Sequence, residues 1–339
     1  MPIFMIGTQR SGSNLLRLML NEQPGIVAPH PPHVLQRLAP LMPGYGDLGH
    51  NENFSLLVDD VCRLVELNPV PWEGVTLNRA DILGRCRDRS LAAVFGAVYD
   101  ALAEARGART WCCKSLANIV YLDEIERCFG RAAKYIYLHR DGRDVAVSFR
   151  KAVVGEKHYY FIAKEWAETQ RLALKLRDRI GRRRFFSVAY EDIVAKPKKT
   201  MRALCRFLGK RFMPAMLEFY KSDEAKRAAG SSDLWTNVAR PLMTDNTKKF
   251  LREASAEDVR IFESVAGDVL DALGHERVAV RRGEERAFTE EEIRQFEQEN
   301  RRLKEEVLRG TDAEDLKRRD RQAALLAEIR ARRELRGAA

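Results

Sequence analysis

No run of about 18 consecutive apolar residues occurs in this 339-residue chain, which excludes an ordinary membrane-spanning helix. The first residues lack the basic segment and long apolar segment of a secretory leader, so a cytoplasmic protein is expected. Cysteine is sparse and unpaired in pattern. Cys62, Cys86, Cys112, Cys113, Cys128 and Cys205 form no C-x-x-C clusters, which argues against a zinc ribbon and against a small disulfide framework. They read as small buried apolar residues in a reducing compartment. There is no internal repeat, and no basic stripe interleaved with aromatic residues, so nucleic acid is not an expected partner.

What is present is an ordinary globular composition, 45% hydrophobic, with a basic balance. Lys and Arg total 59 against 49 Asp and Glu, a formal net charge of +10 that favours anionic ligands without choosing among them.

The first informative stretch is PIFMIGTQRSGSNLLRLML. A short apolar run predicts a buried strand over 3–6, and the helical spacing of Leu15, Leu16, Leu18 and Met19 predicts a helix beginning soon after. Gly7 and Gly12 have the G-x-x-x-x-G spacing of a phosphate-binding loop, where glycines admit an anion close to the unpaired N–H groups of a helix N-terminus. The lysine and hydroxyl residue that would serve nucleotide phosphates and Mg²⁺ are missing, replaced by Ser13 and Asn14. Arg10 is instead the cation inside the loop. The stretch predicts an anion site that works through Arg10 and backbone amides and needs no metal.

A second stretch, YIYLHRDGRDVAVSF, places Arg140 at the carboxyl end of an expected strand over 132–140 and Ser148 in the following helix. Open parallel sheets bind ligands outside those strand ends, so Arg140 and Ser148 make a second anion clamp, while Arg143 and Asp144 are expected to pair locally or cap the helix. Further strands are expected at GIVA after Pro24, at RTWCCK over 109–114, and within 182–197, ending near Tyr190. Helical segments follow them, which predicts an α/β, three-layer, P-loop-like fold with a central, mainly parallel sheet flanked by helices. The prolines of PHPPH at 29–33 make a rigid loop. Residues 34–105 read as mostly helical, an insertion or lid shaping an acceptor pocket.

The two anion stretches, in this order, resemble the nucleotide-binding signatures of sulfotransferases that use 3′-phosphoadenosine-5′-phosphosulfate (PAPS). WCCKSLANIVYLDEI is similar to that family's strand ending in Lys, and VAYEDIVAKP to its Tyr-Glu-Asp segment. The similarity spans about 1–275, is weakest over 34–105, and is nearer to the carbohydrate, tyrosyl-protein and bacterial members than to the cytosolic aryl type. It implies transfer of sulfonate from PAPS to a hydroxyl or amine on a small-molecule, carbohydrate or peptide acceptor, with release of adenosine 3′,5′-bisphosphate (PAP) and no metal. It further implies that Arg10, Ser11, Gly12, Ser13 and Asn14 hold the 5′-phosphate and sulfonate, and that Arg140 and Ser148 hold the 3′-phosphate. Tyr190 would lie by the adenine, and Lys248 or Lys249 would close over the 3′-phosphate.

For the chemistry, Arg10 and Lys114 are candidates to stabilise the leaving oxygen. The base is less plainly written: members of the family carry a Glu after the second strand or a His behind the Lys strand, whereas here Leu116 and Ala117 follow Ser115 and the PHPPH loop occupies the other place. His30 and His33 are therefore the candidate bases, since imidazole titrates near neutral pH. A loop histidine that caps backbone groups is the competing reading. His33 is favoured because it opens the VLQRL helix.

Past 280 the chain becomes a charged helical tail, with domains expected at 1–280 and 281–339. Ile293, Phe296, Asn300, Leu303 and Val307 fit coiled-coil a and d positions over two heptads, so 285–335 is read either as a solvated helix or as a self-association element. Two other readings of the whole chain remain: a P-loop kinase or NTPase, which needs Mg²⁺ and a strand-terminal Asp, and a non-catalytic nucleotide-binding scaffold assembled through the tail.

Overall fold

Five parallel strands form the centre of the structure, a computed structural model that describes residues 1–230, 233–311 and 313–337. They are β1 (Pro2–Gly7), β2 (Ile26–Val27), β3 (Thr110–Cys113), β4 (Lys134–His139) and β5 (Phe185–Ala189), in the order β2-β3-β1-β4-β5. Both faces of the sheet are covered, which is why these strands read as continuous apolar runs. Alternate residues of β1 divide between two cores. Phe4 and Ile6 join Phe95, Tyr99, Trp111 and Tyr135 on one face, whereas Ile3 and Met5 join Leu16, Met19, Ile136 and Leu204 on the other.

The first face is packed by aromatic contacts. The ring centroids of Phe4 lie 5.9 Å from Phe95, 5.4 Å from Trp111 and 5.8 Å from Tyr135. Phe95 belongs to the helix Leu91–Ala105, so the end of the 34–105 segment is built into the sheet layer. A third core joins the helices Tyr159–Ile180 and Ala256–Ala272 through Trp166 and Phe262.

This topology positions the site. β1 continues to β2 and β3 on one side, and the chain then crosses to β4 and β5 on the other, so the carboxyl ends of β1, β3 and β4 open onto one crevice. Gly7, Lys114 and Arg140 lie at or just past those three ends.

The tail is helical, as expected, and its first helix is largely exposed but anchored to the body at particular side chains. In the helix Glu290–Arg309, Phe296 stacks on His158 at 4.3 Å, and the Asn300 side-chain oxygen accepts hydrogen bonds from the Lys157 and His158 backbone N–H groups at 2.8 and 3.0 Å. The coiled-coil reading is corrected at these two positions: their side chains bind this chain's own body, and Asn300 serves as a cap for buried backbone instead of a polar a-position residue. The last helix, Ala313–Gly337, buries Leu325 and Ile329 in the first core. Residue 312, within the expected 285–335 element, lies outside the described residues. No helix among the described residues is long and apolar enough to cross a membrane.

Candidate active site

The loop after β1 needs both of its glycines. At Gly7, with φ 137°, a Cβ would stand 2.2 Å from the Leu138 carbonyl oxygen of β4; at Gly12, with φ 87°, it would stand 2.4 Å from the Tyr190 ring. Only glycine meets these demands. Arg10 itself has φ 67°, a left-handed conformation rare for a side chain this large, and its Nε donates to Ser148 Oγ at 2.9 Å. Thr8 Oγ1 accepts from Gln170 Nε2 at 2.7 Å, which ties the loop to the helix Tyr159–Ile180.

Arg140 extends across the same crevice. Its guanidinium donates to the Arg10 carbonyl at 3.1 Å and to the Asn246 carbonyl at 2.5 Å, and it lies 4.4 Å from the Tyr190 ring centroid. Asn246 donates back to the Tyr190 hydroxyl at 2.8 Å. The segment around 246–250 is thus folded over Arg140, held further by the Phe250 N–H donating to Asp144 at 3.0 Å. Burial and the neighbouring Arg140 charge lower the Arg10 pKa to about 10, which leaves it cationic at neutral pH. The buried Asp144 carboxylate lies 3.7 Å from the Arg140 guanidinium, and the buried Arg140 Nε and Asn14 Nδ2 have no hydrogen-bond partner.

Asn14 is oriented by a residue the motif reading passed over. Arg17, fully buried, donates to Asn14 Oδ1 at 2.8 Å, to the Ala28 carbonyl at 2.9 Å and to Glu224 at 2.7 Å. A lone Arg inside LLRLML was the available signal, because a buried guanidinium in an apolar helix face requires partners. Glu224→Ala is expected to cost about 3 kcal/mol, since it strands that charge. Urea unfolding monitored by far-UV circular dichroism would read the loss; a change below about 1 kcal/mol would show that the other two acceptors suffice.

Two corrections apply to the loop and the closing segment. Ser11 is fully buried with its hydroxyl unpartnered, and the crevice is lined by Gly12, Ser13 and Asn14 on either side of the helix start instead. Lys249, not Lys248, lines the crevice. Lys248 takes φ 54° and serves the turn, and its successor is held near Arg140, which together with burial lowers the Lys249 pKa. Arg143 pairs locally, as expected, but with Asp141 at 2.7 Å, and Asp141, not Asp144, caps the helix Gly142–Arg150; Asp144 lies 3.7 Å from Arg140.

The other wall brings three residues together from distant sequence. Lys114, 8% exposed at the end of β3, lies 5.6 Å over the Trp235 ring. Desolvation, then the Arg17 charge, lowers its pKa to about 7. His33, at φ 59°, has its Nδ1 2.8 Å from Ser115 Oγ, the residue after Lys114. Burial together with the Lys114 and Arg37 charges pushes its pKa down to about 3, so the imidazole is neutral at neutral pH. The pair forms either with Nδ1–H donating to Ser115, which leaves Nε2 to accept a proton, or with the Ser115 hydroxyl donating to Nδ1. His30 is deeper, its ring 4.6 Å from Trp235 with both nitrogens unpartnered, while its carbonyl accepts from Asn68 and Trp72 at 3.0 and 2.8 Å. That carbonyl anchoring holds the proline loop.

Arg10, Asn14, His30, His33, Lys114 and Arg140 line one cleft of about 1640 Å³, larger than the ~300–1,000 Å³ of a single-ligand pocket, so it has room for two ligands side by side. The profile of the sulfotransferase family matches residues 2–214. The chain belongs to the sulfotransferase family. No curated protein sequence matches it significantly. Among solved structures, the sulfotransferase domain of the olefin synthase from Synechococcus PCC 7002 shares 24% identity, with 78% of this chain and 94% of that one covered at a TM-score of 0.54. The sulfotransferase domain from the curacin biosynthetic pathway shares 22% identity over 81% of this chain and 98% of that one, also at 0.54. These likenesses show the same fold: a parallel sheet flanked by helices. In this sulfotransferase, the residues expected from sequence at the loop, at Arg140 and Ser148, and at His33 and Lys114 line a common cleft, joined by Trp235 and Asn246, which no local pattern marked. Among the described residues, no group of three or more His, Cys, Asp or Glu side chains is placed to hold a metal ion.

Proposed function

We propose that this chain transfers the sulfonate of PAPS to a hydroxyl or amine acceptor and releases PAP. The observation that carries the reading is the direct bond from Arg10 to Ser148, with Arg140 bound to the Arg10 carbonyl, which joins the β1 loop and the β4 helix into one clamp for two phosphates. Its orphaned donors, Asn14 Nδ2 and Arg140 Nε, fit a ligand rich in anionic oxygens. In this reading Gly12, Ser13 and Asn14 bind the 5′-phosphosulfate end, Arg140, Ser148 and Lys249 hold the 3′-phosphate, and Tyr190 supports the adenine side. His33 Nε2 takes the acceptor proton, and Arg10 and Lys114 neutralise charge on the departing bridge oxygen.

PAP at 100 times its Kd should stabilise the protein by about 2.7 kcal/mol, readable as a rise in Tm, whereas ATP with Mg²⁺ should give little. Arg10→Ala and Arg140→Ala should each remove most of the rise. A rise of the same size in both variants, or a larger one with ATP and Mg²⁺, would refute the donor assignment.

A further inference from the structure

The family profile ends at residue 214, yet the cleft wall does not. Gln322, Leu326 and Arg330, spaced one turn apart on the last helix, all line it. The neighbouring positions Leu325 and Ile329 are buried in the first core, and Gln322 Nε2 donates to the Leu64 carbonyl at 2.8 Å. Arg332 reinforces the seat by donating to Asp60 at 2.6 Å, and Asp60 also accepts from the Tyr45 hydroxyl at 2.7 Å. One stripe of the helix is therefore docked while the adjoining stripe faces the cleft.

The same cleft also presents apolar side chains, Leu41 among them on the short helix that the tail packs against. Leu41, Ile119, Val120 and Leu172 line it, and Val120 is 61% exposed, unusual for a large aliphatic residue next to a binding cleft. On the tail side, Gln322 is 1% exposed, and its Oε1 is buried with no partner. A buried amide oxygen without a donor is costly, and one lining a cleft is satisfied by a ligand donor or by water. The donor clamp lies at the other end of the same space, among Arg10, Arg140 and Tyr190.

Resting on the sulfonate-transfer reading above, we propose that the C-terminal helix is the acceptor-selecting wall of the active site, and that the acceptor is an alcohol with an elongated apolar body. That body lies along Leu326, Leu41 and Val120, with its hydroxyl directed to His33. The tail thus has a function separate from self-association: it completes a pocket that residues 2–214 leave open.

The test uses the full-length protein saturated with PAP and titrated calorimetrically with 1,10-decanediol, with glycerol as the polar comparison. Wild type is expected to bind the decanediol at least about tenfold more tightly than glycerol. Leu326→Trp, which fills the space from the tail side, is expected to weaken the decanediol by about tenfold or more while the PAP affinity stays within about twofold. Leu326→Asp tests the same contact by polarity and should weaken it comparably. Equal affinity for decanediol in wild type and both variants, or no preference over glycerol, overturns the acceptor inference. Failure of wild type to bind PAP overturns the sulfonate-transfer reading instead, so the two outcomes are separable.

Discussion

His33→Ala is expected to lower kcat for sulfonate transfer by about 10²–10⁴ while leaving PAP affinity within about twofold, because in the proposed role the imidazole acts on the acceptor proton and not on the nucleotide. The imidazole is neutral well before neutral pH, with a pKa near 3 in the ligand-free protein. Its Nδ1 is held at 2.8 Å from Ser115 Oγ, and the proposed role uses the tautomer in which Nδ1–H donates and Nε2 is open. Burial lowers its pKa most, with the Lys114 and Arg37 charges adding to it, and an anion beside Lys114 would offset that part of the shift. Single-turnover rates with radiolabelled PAPS would separate this step from binding. His30→Ala provides the contrast, since its ring is packed on Trp235 and its carbonyl anchors the loop. Full single-turnover activity in His33→Ala would remove histidine from the chemistry.

Lys114→Met is expected to cost about 10²–10³ in kcat, the scale of one lost donor to developing charge in a dry site. It also carries a pH signature. With its pKa lowered to about 7, Lys114 is mostly protonated below that pH and mostly neutral above it. An anion at the 5′ end binds the protonated form better, so PAP affinity should be greatest below about pH 7 and fall as pH rises toward 9, by at most tenfold per unit. The phosphates of PAP are already fully ionised over most of that range, since their second pKa is about 6. The methionine variant should bind more weakly at pH 7 and show a flat profile from 7 to 9. A profile in the variant that still falls like that of wild type would assign the titration to another group.

The sheet was legible because its strands are buried on both sides and so appear as unbroken apolar runs: IFMI, WCC and YIYL needed no tertiary information. The loop was legible too, because the demands at Gly7 and Gly12 are backbone demands that one residue type satisfies. Lys248 and Ser11 were misplaced for a different reason. Which of two adjacent lysines turns inward, and whether a loop hydroxyl faces ligand or core, depends on a single backbone dihedral: φ 54° at Lys248 is invisible in a charge pattern. What the tail touches was not legible either, since an apolar stripe at a and d spacing states that a face is covered and not by what.

Local sequence thus established the fold class and the two glycine-bounded and strand-end stretches that the structure brings to one cleft, because strand burial, glycine-dependent turns and helix periodicity are properties of a few consecutive residues. Long-range packing settled everything that depends on distance between remote segments: Arg10 against Ser148, His33 against Ser115, Trp235 over Lys114, and the last helix seated beside the cleft. Such contacts join residues as far as 272 positions apart, as Arg332 to Asp60, and their geometry follows from strand order and helix docking, which no short window of sequence encodes.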